Sequence, residues 1–436
     1  MRLFAREAFL PTGWAPDVTL DIAPDGTILA VQAGTAPRDA EIAGGPVLPG
    51  MPNLHSHAFQ RAMAGSAERS ATADDDFWSW REAMYALAAR LEPDELRAIA
   101  REVYCAMLAV GYTAVAEFHY LHRDPRGAWY ADKAATSRAL IEAARDAGIA
   151  ICLLPALYAH SDAGGKPLHE RQQRFATTPD DILQITAALR KDYANDDDVT
   201  IGICAHSLRA VTPDELRALI DGSPRGVPVH LHASAQTREV DAVRAALGAR
   251  PVEWLLANHD VDARWCLVHA TQVDERERDA LARSGAVAGL CPTTEANLGD
   301  GLFPLAPYLA ADGAFGIGSD SNVSLSPVEE LRWLEYGQRL ALRRRVVAAV
   351  AAGTSCGETL YAGAARGGAR ACGLNAGALE AGCRADLIVL DARAEPLASA
   401  PPGELLDRYV FACDRAAPRD VMVRGRWRVR DGNLTR

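Results

Sequence analysis

Short apolar runs alternate with amphipathic stretches through the centre of the chain, and this alternation predicts the architecture. The apolar runs have the length and composition of buried strands, and they cover residues 46–57, 112–120, 149–158, 199–208, 228–234, 265–271, 285–292 and 315–321. Most of the gaps between them carry a helical pattern. Eight strands that alternate with helices predict an α/β fold of the (β/α)8 TIM-barrel type. A doubly wound open sheet is the alternative, but no glycine-rich nucleotide-binding motif follows any of the runs.

Three of the helical stretches carry clear start and stop signals. Residues 93–111 begin with proline and acidic residues and end at a glycine, as an α-helix commonly does. Residues 212–222 and 326–345 begin in the same way, and Ser326 and Glu329 have the spacing of a capping box. These signals predict helices between successive strands of the barrel.

Both ends of the chain have a different pattern of apolar and polar residues from the centre, one typical of β-strands. Residues 17–34 alternate apolar and polar positions around Pro24-Asp25-Gly26, which is the pattern of a β-hairpin. Residues 385–392 have the composition of a strand, and residues 420–432 that of two short strands about Gly425. The two ends are therefore predicted to pair with each other. The predicted domains are a small β-sandwich of residues 1–46 and 373–436, and a barrel of residues 47–372.

Composition and charge indicate which partners and which cellular compartment to expect. The 436 residues carry a formal net charge of -11, which argues against nucleic acid or an anionic membrane as the main partner. The nine cysteines include no C-x-x-C pair, and we expect buried, reduced thiols in a reducing compartment. The N-terminus lacks the apolar core of a signal peptide, and no apolar stretch approaches the roughly 20 residues that cross a bilayer. We expect a cytoplasmic protein that binds neither nucleic acid nor membrane.

Histidines concentrate at the predicted strand ends. Seven of the eleven lie at or near such ends, namely His55, His57, His119, His206, His230, His232 and His269. Barrels of this type carry their active sites at the C-terminal ends of the strands. Side chains two positions apart on a strand share a face, so His55 and His57 aim at one point. Alone this pair would fit an ordinary strand, but the concentration of histidines favours a metal centre.

The choice of ligands follows from residue type and from position on each strand. His55, His57, His232 and Asp320 supply three imidazoles and a carboxylate, which suits one divalent metal, Zn²⁺ before others, with room for a water. His232 is preferred to His230 because it lies nearer the end of its strand. No lysine lies near the end of the fourth strand, so a carbamate-bridged pair of metals is not expected. His269 would contact the water or the substrate, with a fifth metal ligand as the alternative, and Asp320 would also accept a proton.

Eight motifs together resemble one enzyme family. They read HSHAFQR, WSWR, EFHYLH, AHSLRAV, VHLHAS, VHAT, CPTTEANLGDG and GIGSDSN, and they extend over nearly the whole chain. The combination resembles the formimidoylglutamate deiminases, a family of the amidohydrolase superfamily. That resemblance implies hydrolysis of the C=N bond of N-formimino-L-glutamate to N-formyl-L-glutamate and ammonia, a step of bacterial histidine degradation. It also implies a homodimer.

The substrate of that family is a small dicarboxylate, and the sequence offers groups to bind it. Arg81 and Arg209 are candidate clamps, because a guanidinium matches a carboxylate in a bidentate fork. The resemblance places both arginines in the substrate pocket together with Gln60 and Tyr120. His206 would bind substrate or brace the metal site. The alternative for Arg81 is a surface ion pair beside the aspartates at 74–76, and for Arg209 a structural pair.

One position departs from the family pattern. Deaminases of this superfamily carry a glutamate three residues after the histidine of the fifth strand, and this chain has Ala235 there. Alanine can neither accept nor donate a proton, so we expect a catalytically inactivated variant, by engineering before natural divergence. Glu295 is the nearest candidate for a substitute acid. Two other functions stay open, a deaminase of another small substrate such as a nucleobase, and a metal-containing binding protein without turnover.

Overall fold

The computed structural model describes residues 1–66, 68, 77–413 and 418–435, except the side chains of residues 77–79 and 402. The aspartates at 74–76, part of the expected surface surroundings of Arg81, lie outside the described residues.

The N-terminal segment forms the first five strands. They are β1 Arg2–Leu10, β2 Gly13–Ile22, β3 Ile28–Gln32, β4 Glu41–Ile42 and β5 Val47–Pro49. β1 and β2 form a long antiparallel hairpin, and β3 continues it antiparallel to β2 through the predicted turn at Gly26. Gly26 has a φ of 86°, a left-handed conformation that glycine adopts at little cost.

The central strands form the predicted barrel. They are β6 Met51–Ser56, β7 Tyr112–His119, β8 Ala150–Leu157, β9 Val199–Ile201, β10 Ile203–Ser207, β11 Val229–Ala233, β12 Trp265–His269, β13 Val287–Leu290 and β14 Phe315–Ile317. Neighbouring strands are parallel, in the order β6-β7-β8-β10-β11-β12-β13-β14, and β9 also pairs with β8. β9 and β10 together are the fourth predicted strand, interrupted at Gly202. The (β/α)8 prediction is therefore confirmed.

The last strand closes the barrel against the first. Asp320 N donates to His55 O at 2.9 Å, and Ser56 and Asp320 form a parallel bridge. Gly318 permits this approach, since a Cβ there would lie 2.7 Å from His55 Cβ. Closure places residues from the two ends of the barrel sequence side by side and rules out the open-sheet alternative.

The C-terminal strands join the N-terminal ones in a single sheet. They are β15 Leu387–Val389, β16 Asp420–Val423, β17 Arg426–Arg430 and β18 Asn433–Leu434. The sheet has nine strands in the order β18-β17-β16-β15-β5-β1-β2-β3, with β4 beside β1, and it encloses a small apolar core. β5 lies within the apolar run assigned to the first barrel strand, so this run supplies a strand to each sheet.

Helices accompany the strands of the barrel. They are α1 Phe77–Ala88, α2 Pro93–Ala109, α3 Ala135–Ala147, α4 Pro179–Asp192, α5 Pro213–Gly222, α6 Thr237–Leu247, α7 Pro251–Asn258, α8 Glu275–Ser284, α9 Pro292–Leu298, α10 Leu305–Ala310, α11 Pro327–Leu342, α12 Cys356–Ala371 and α13 Leu405–Phe411. The helices predicted from start signals are α2, α5 and α11, and Ser326 Oγ accepts from Glu329 N at the start of α11. None of the described helices is long and apolar enough to cross a membrane.

Candidate active site

Four side chains converge at the C-terminal end of the barrel. His55 lies on β6 and His57 follows it directly, His232 lies on β11, and Asp320 follows β14. One ligand atom from each lies within 4.8 Å of the corresponding atom of every other. His55 Nε2 lies 3.0 Å from His232 Nε2 and 3.4 Å from Asp320 Oδ1, and His57 Nε2 lies 3.4 Å from the same carboxylate oxygen.

Backbone carbonyls fix two of the imidazole rings. His57 Nδ1 lies 2.8 Å from Phe118 O, and His232 Nδ1 lies 2.8 Å from His206 O. A carbonyl can only accept, so each Nδ1 carries the proton and each Nε2 presents a lone pair. His57 and His232 therefore offer two lone pairs to one cation, and His55 Nε2 lies 3.0 Å from His232 Nε2, close enough to bind the same ion.

The protonation states suit the same purpose. Burial lowers the pKa of His55 to about 3, and it also lowers the pKa values of His57 and His232. Burial acts to raise the pKa of Asp320, but the hydrogen bond of His55 and the charge of His269 outweigh it and hold that pKa below its usual range. Neutral imidazoles beside a carboxylate at neutral pH are the forms that bind a divalent metal. The residues present therefore fit such a metal.

The backbone around the cluster is strained. Ser234, His269, Asp320 and Asn322 have φ values of 56°, 71°, 45° and 58°, in the left-handed region that residues other than glycine rarely occupy. Each such residue costs on the order of 1–3 kcal/mol, and surrounding contacts must offset that cost. The strain occurs where strands β11, β12 and β14 end, beside the converging side chains.

A buried polar network offsets part of the strain near Asp320. Asn53 Nδ2 donates to Ser319 Oγ at 2.6 Å, and Ser319 Oγ donates to Asn322 Oδ1 at 2.6 Å. Asn322 Nδ2 donates to His57 O at 3.0 Å. All three residues of this network are fully buried. They fix the segment that carries Asp320 against the strand that carries His55 and His57.

His269 lies beside the cluster and is supported from behind by Glu295. Its Nδ1 lies 3.3 Å from Glu295 Oε1, and its Nε2 lies 3.8 Å from Asp320 Oδ2. Burial acts to lower the pKa of His269, but the hydrogen bond to Glu295 and the charge of Asp320 outweigh it and raise the pKa to about 9. His269 can therefore hold a proton next to Asp320.

A cavity of about 810 Å³, partly open to solvent, lies over this cluster. Its lining includes nearly all of the residues predicted from the sequence: His57, Gln60, Arg81, Tyr120, His206, Arg209, His232, Ala235, His269 and Asp320. His55 is fully buried beneath it. The remaining lining residues are Trp80, Met84, Tyr85, Tyr158, Phe175, Gln236, Glu239, Leu298 and Asp300.

The two arginines lie on the same side of the cavity. Burial raises the pKa of Tyr158, and the positive charges of Arg209 and Arg81 oppose that rise. Burial lowers the pKa of His206, and both arginines lower it further. Arg209 is 8 % exposed, whereas Arg81, on α1, is half-buried. Both guanidinium groups therefore lie near Tyr158 and His206.

Gln60 and Tyr120 form a hydrogen-bonded pair in the wall of the cavity. Gln60 Nε2 donates to Tyr120 Oη at 2.8 Å, and both residues are 3 % exposed. The pair lies beside the ring of His57, whose centroid is 5.2 Å from that of Tyr120. The predicted polar donors therefore lie between the metal cluster and the arginines.

Comparison with known proteins identifies the family. A model described as the amidohydrolase family matches residues 47–428, and one described as "Formimidoylglutamate deiminase HutF, N-terminal domain" matches residues 1–45. The chain belongs to the amidohydrolase family. Within that family it is 51% identical to a formimidoylglutamate deiminase of Pseudomonas aeruginosa, over 99% of this chain and 95% of the relative. The family resemblance inferred from the motifs is thus confirmed.

Another relative and two solved structures match over nearly the whole chain. A 5-methylthioadenosine/S-adenosylhomocysteine deaminase of Natronomonas pharaonis is 30% identical, over 95% of this chain and 89% of the relative. The crystal structure of an amidohydrolase from Brucella melitensis is 45% identical with a TM-score of 0.94, over 99% of this chain and 95% of that chain. A zinc-bound adenosine deaminase of Xanthomonas campestris, 21% identical with a TM-score of 0.80, shares the fold over 100% of this chain and 94% of that chain.

The family pattern makes the surroundings of Ala235 important. Ala235 lines the cavity, as do His232 and Gln236, and it stands where the motif resemblance led us to expect a glutamate. Glu295, the expected substitute, accepts from Cys291 N at 2.9 Å and faces His269, and it is not among the described residues that line the cavity. Its position behind His269 suits orientation of that ring better than proton transfer to a substrate.

Several histidines and acids near strand ends do not reach the cavity. His119 Nε2 lies 2.9 Å from Thr136 Oγ1, and His230 Nε2 lies 2.8 Å from Ala371 O. Glu117 accepts from Ala58 N at 2.7 Å, and its burial raises its pKa to about 8. None of the three is among the described cavity-lining residues, and His230 lies in the core, as expected.

Some residues of the site were missed by sequence reasoning. Glu239, Asp300 and Gln236 line the cavity, and Asn53 and Ser319 brace the metal cluster. The motif CPTTEANLGDG contains Asp300, and GIGSDSN contains Ser319, so these two lay within segments already marked as unusual. Glu239 and Asn53 had no comparable signal.

Proposed function

We propose that this protein acts on N-formimino-L-glutamate, by hydrolysis of its C=N bond to N-formyl-L-glutamate and ammonia. One Zn²⁺ held by His55, His57, His232 and Asp320 would be its cofactor. The observation that carries the proposal is the combination of this donor cluster with two arginines in one cavity. The 51% identity to the Pseudomonas aeruginosa formimidoylglutamate deiminase supports it.

Arg81 and Arg209 bind the two carboxylates of the substrate. A guanidinium presents parallel N–H groups that match a carboxylate, and such charge-assisted hydrogen bonds are the strong ones. Gln60 and Tyr120 add uncharged polar contacts, and the neutral His206 ring adds another. Held at this side of the cavity, the dicarboxylate directs its formimino group towards the metal ligands.

The metal, when bound, lowers the pKa of water to about 7 and so supplies a nucleophile at neutral pH. Asp320 accepts the proton that this activation releases, and the protonated His269 ring lies beside it, with its Nε2 3.8 Å from Asp320 Oδ2. Addition of water to the C=N carbon and loss of ammonia then leave a C=O group. The departing nitrogen needs a further proton, which the expected glutamate at position 235 would deliver.

Ala235 removes that proton carrier and impairs turnover, while the groups that bind substrate remain. The side chain of alanine ends at Cβ and has no titratable group. Binding of the dicarboxylate should therefore survive in this chain. Engineering of the position stays our preferred explanation, because the other motifs of the family are intact.

A purine-type substrate is the second candidate, since relatives include a 5-methylthioadenosine/S-adenosylhomocysteine deaminase at 30% identity. Trp80, Tyr85, Tyr158 and Phe175 give the cavity aromatic walls that could stack on a base. Two arginines in the same cavity favour the dicarboxylate instead, because a neutral base offers no carboxylate to pair with them. A binding protein without turnover is the third candidate, because of Ala235.

An assay of ammonia release separates these candidates. The Ala235→Glu variant and the parent, both loaded with zinc, would be given N-formimino-L-glutamate, 5-methylthioadenosine or 8-oxoguanine. Release from the first compound alone, and mainly by the variant, supports the proposal. Release from a purine compound would refute it, and no release by either protein would leave the binding function as the best account.

The proposal includes a cytoplasmic homodimer that acts in histidine degradation. Sedimentation of the purified protein at several concentrations would test the homodimer, and a monomer throughout would refute it. Cell fractionation would test the location.

A further inference from the structure

The carboxyl group of Glu239 is buried in the wall of the cavity. Glu239 is the third residue of α6, is 3 % exposed and lines the cavity beside Ala235. Its Oε2 accepts from Ala235 N at 2.9 Å. Its Oε1 is buried and has no hydrogen-bond partner among the residues that the structure describes.

A role at the start of the helix explains only one of the two oxygens of this carboxyl group, Oε2. An acidic residue in the first turn of a helix is favourable for the helix dipole, and Oε2 also accepts from Ala235 N just before the helix begins. A buried polar atom without a partner is costly, and native structures keep few of them. Oε1 is therefore available to a donor that enters the cavity.

A second buried carboxyl group lies on the same side of the cavity. Asp300 is 8 % exposed, and its Oδ1 accepts from Gln236 Nε2. Burial raises the pKa of Asp300 to about 7, while the charge of His269 acts in the opposite direction. These carboxyl groups lie near His269 and Ala235, whereas the arginines lie near Tyr158 and His206. The cavity thus holds carboxyl groups in one place and guanidinium groups in another.

We propose that Glu239, assisted by Asp300, binds the cationic C=N end of an amidine substrate. This inference rests on the proposed function, because a formimino group is an amidine and is protonated at neutral pH. An N–H of the amidinium would donate to Glu239 Oε1 while Arg81 and Arg209 hold the carboxylates. The product carries a neutral formyl group instead, so these carboxylates distinguish substrate from product.

The test compares two ligands that differ in charge only at this end. Affinities of N-formimino-L-glutamate and N-formyl-L-glutamate would be measured by calorimetry on the zinc-loaded parent, with ammonia monitored to confirm that turnover is negligible. The readout is the dissociation constant of N-formyl-L-glutamate divided by that of N-formimino-L-glutamate. In Glu239→Gln the ratio should fall by about tenfold or more, in favour of the neutral ligand, since a charge-assisted bond is lost.

Glu239→Gln keeps an oxygen that can accept from Ala235 N, so the start of α6 should survive. Thermal unfolding of the variant checks this, and Asp300→Asn provides a second variant with a smaller expected change in the ratio. Arg209→Ala is the matched control, because it should weaken both ligands alike and leave the ratio unchanged. A ratio that is unchanged in both Glu239→Gln and Asp300→Asn would overturn the inference.

Failure of the proposed function gives a different result. If neither dicarboxylate binds the parent, the substrate assignment itself is wrong and the inference about Glu239 falls with it. If both bind the parent and the ratio does not respond to the variants, only the role of Glu239 is wrong.

Discussion

The two ends of the cavity are built differently. At the metal end, His57 and His232 leave from strands, and backbone carbonyls hold their rings at 2.8 Å. At the other end, Arg81 leaves from helix α1 and Arg209 from the turn after β10, and Arg81 is half-buried. Groups on strands are positioned by the sheet itself, whereas groups on loops and helices depend on connections that vary freely. The metal end can therefore keep one chemistry while the arginine end selects the substrate.

Position 235 lies where these two ends meet. It follows β11, which carries His232, and precedes α6, which carries Glu239. The proton that must reach the departing nitrogen has to come from such a position, within reach of both the metal end and the bound substrate. Variants at each end and at this junction test whether the two ends are separable.

The largest effect is expected at the metal end. Replacement of His57 by alanine removes one of four converging ligands and should remove most of the bound metal. Elemental analysis of the purified protein measures this directly. His119→Gln is the matched control, because His119 is also a buried strand histidine but contacts Thr136 outside the cavity. Full metal content in His57→Ala would show that the cluster is not the metal site.

The next effect is expected at the junction. Ala235→Glu should raise ammonia release from N-formimino-L-glutamate by at least about a hundredfold, since a positioned proton carrier contributes about 10² to 10⁴ in rate. Substrate affinity should change little, because the arginines are untouched. Ala235→Gln, with the same length and no titratable proton, is the control and should stay slow. Equal rates for Ala235→Glu and the parent would mean that another group, Glu239 before Glu295, carries the proton.

The architecture could be predicted from the sequence because apolar runs and helix start signals are local. Each of the eight strand predictions corresponds to a strand of the barrel, but the run at 46–57 also contains β5 of the other sheet. The residues on either side of the boundary are apolar and only Gly50 separates the two strands, so no change of pattern marks where one ends and the other begins. A Cβ at Gly50 would lie 2.4 Å from the side chain of Thr113, a tertiary contact that a local pattern does not contain.

The site could be predicted in part, for a similar reason. His55 and His57 share a face by simple strand periodicity, but His119 and Glu117 face away from the cavity, which depends on how β7 is oriented in the sheet. Asn53 and Ser319 are separated by 266 positions, and only barrel closure brings them into contact. Arg81 and Arg209 came from a family resemblance, because no periodic pattern places loop and helix residues in a cavity.

A smaller effect is expected for the buried arginine. Arg209→Ala should weaken binding of N-formimino-L-glutamate by roughly 1.5 to 3 kcal/mol, because a charge-assisted bond in a buried position is lost. Metal content should not change, because Arg209 is not among the four converging metal ligands. Calorimetry on the zinc-loaded protein measures the affinity. Arg171→Ala is the control, because Arg171 pairs with Glu82 at the surface and its side chain is 66% exposed. Parent-like affinity in Arg209→Ala would remove Arg209 from the substrate site.

The smallest effect is expected for Arg81. Its half-buried guanidinium is partly screened by water, so Arg81→Ala should weaken the same ligand by about 1 kcal/mol, less than Arg209→Ala does. The two variants should differ in how their loss of affinity depends on salt. Exposed charges are screened more strongly than buried ones when ionic strength rises from about 0.1 to about 1 M. The loss caused by Arg81→Ala should shrink over that range, and the loss caused by Arg209→Ala should persist. Losses of equal size and equal salt dependence would mean that both arginines are screened alike, against the distinction drawn between the buried Arg209 and the half-buried Arg81.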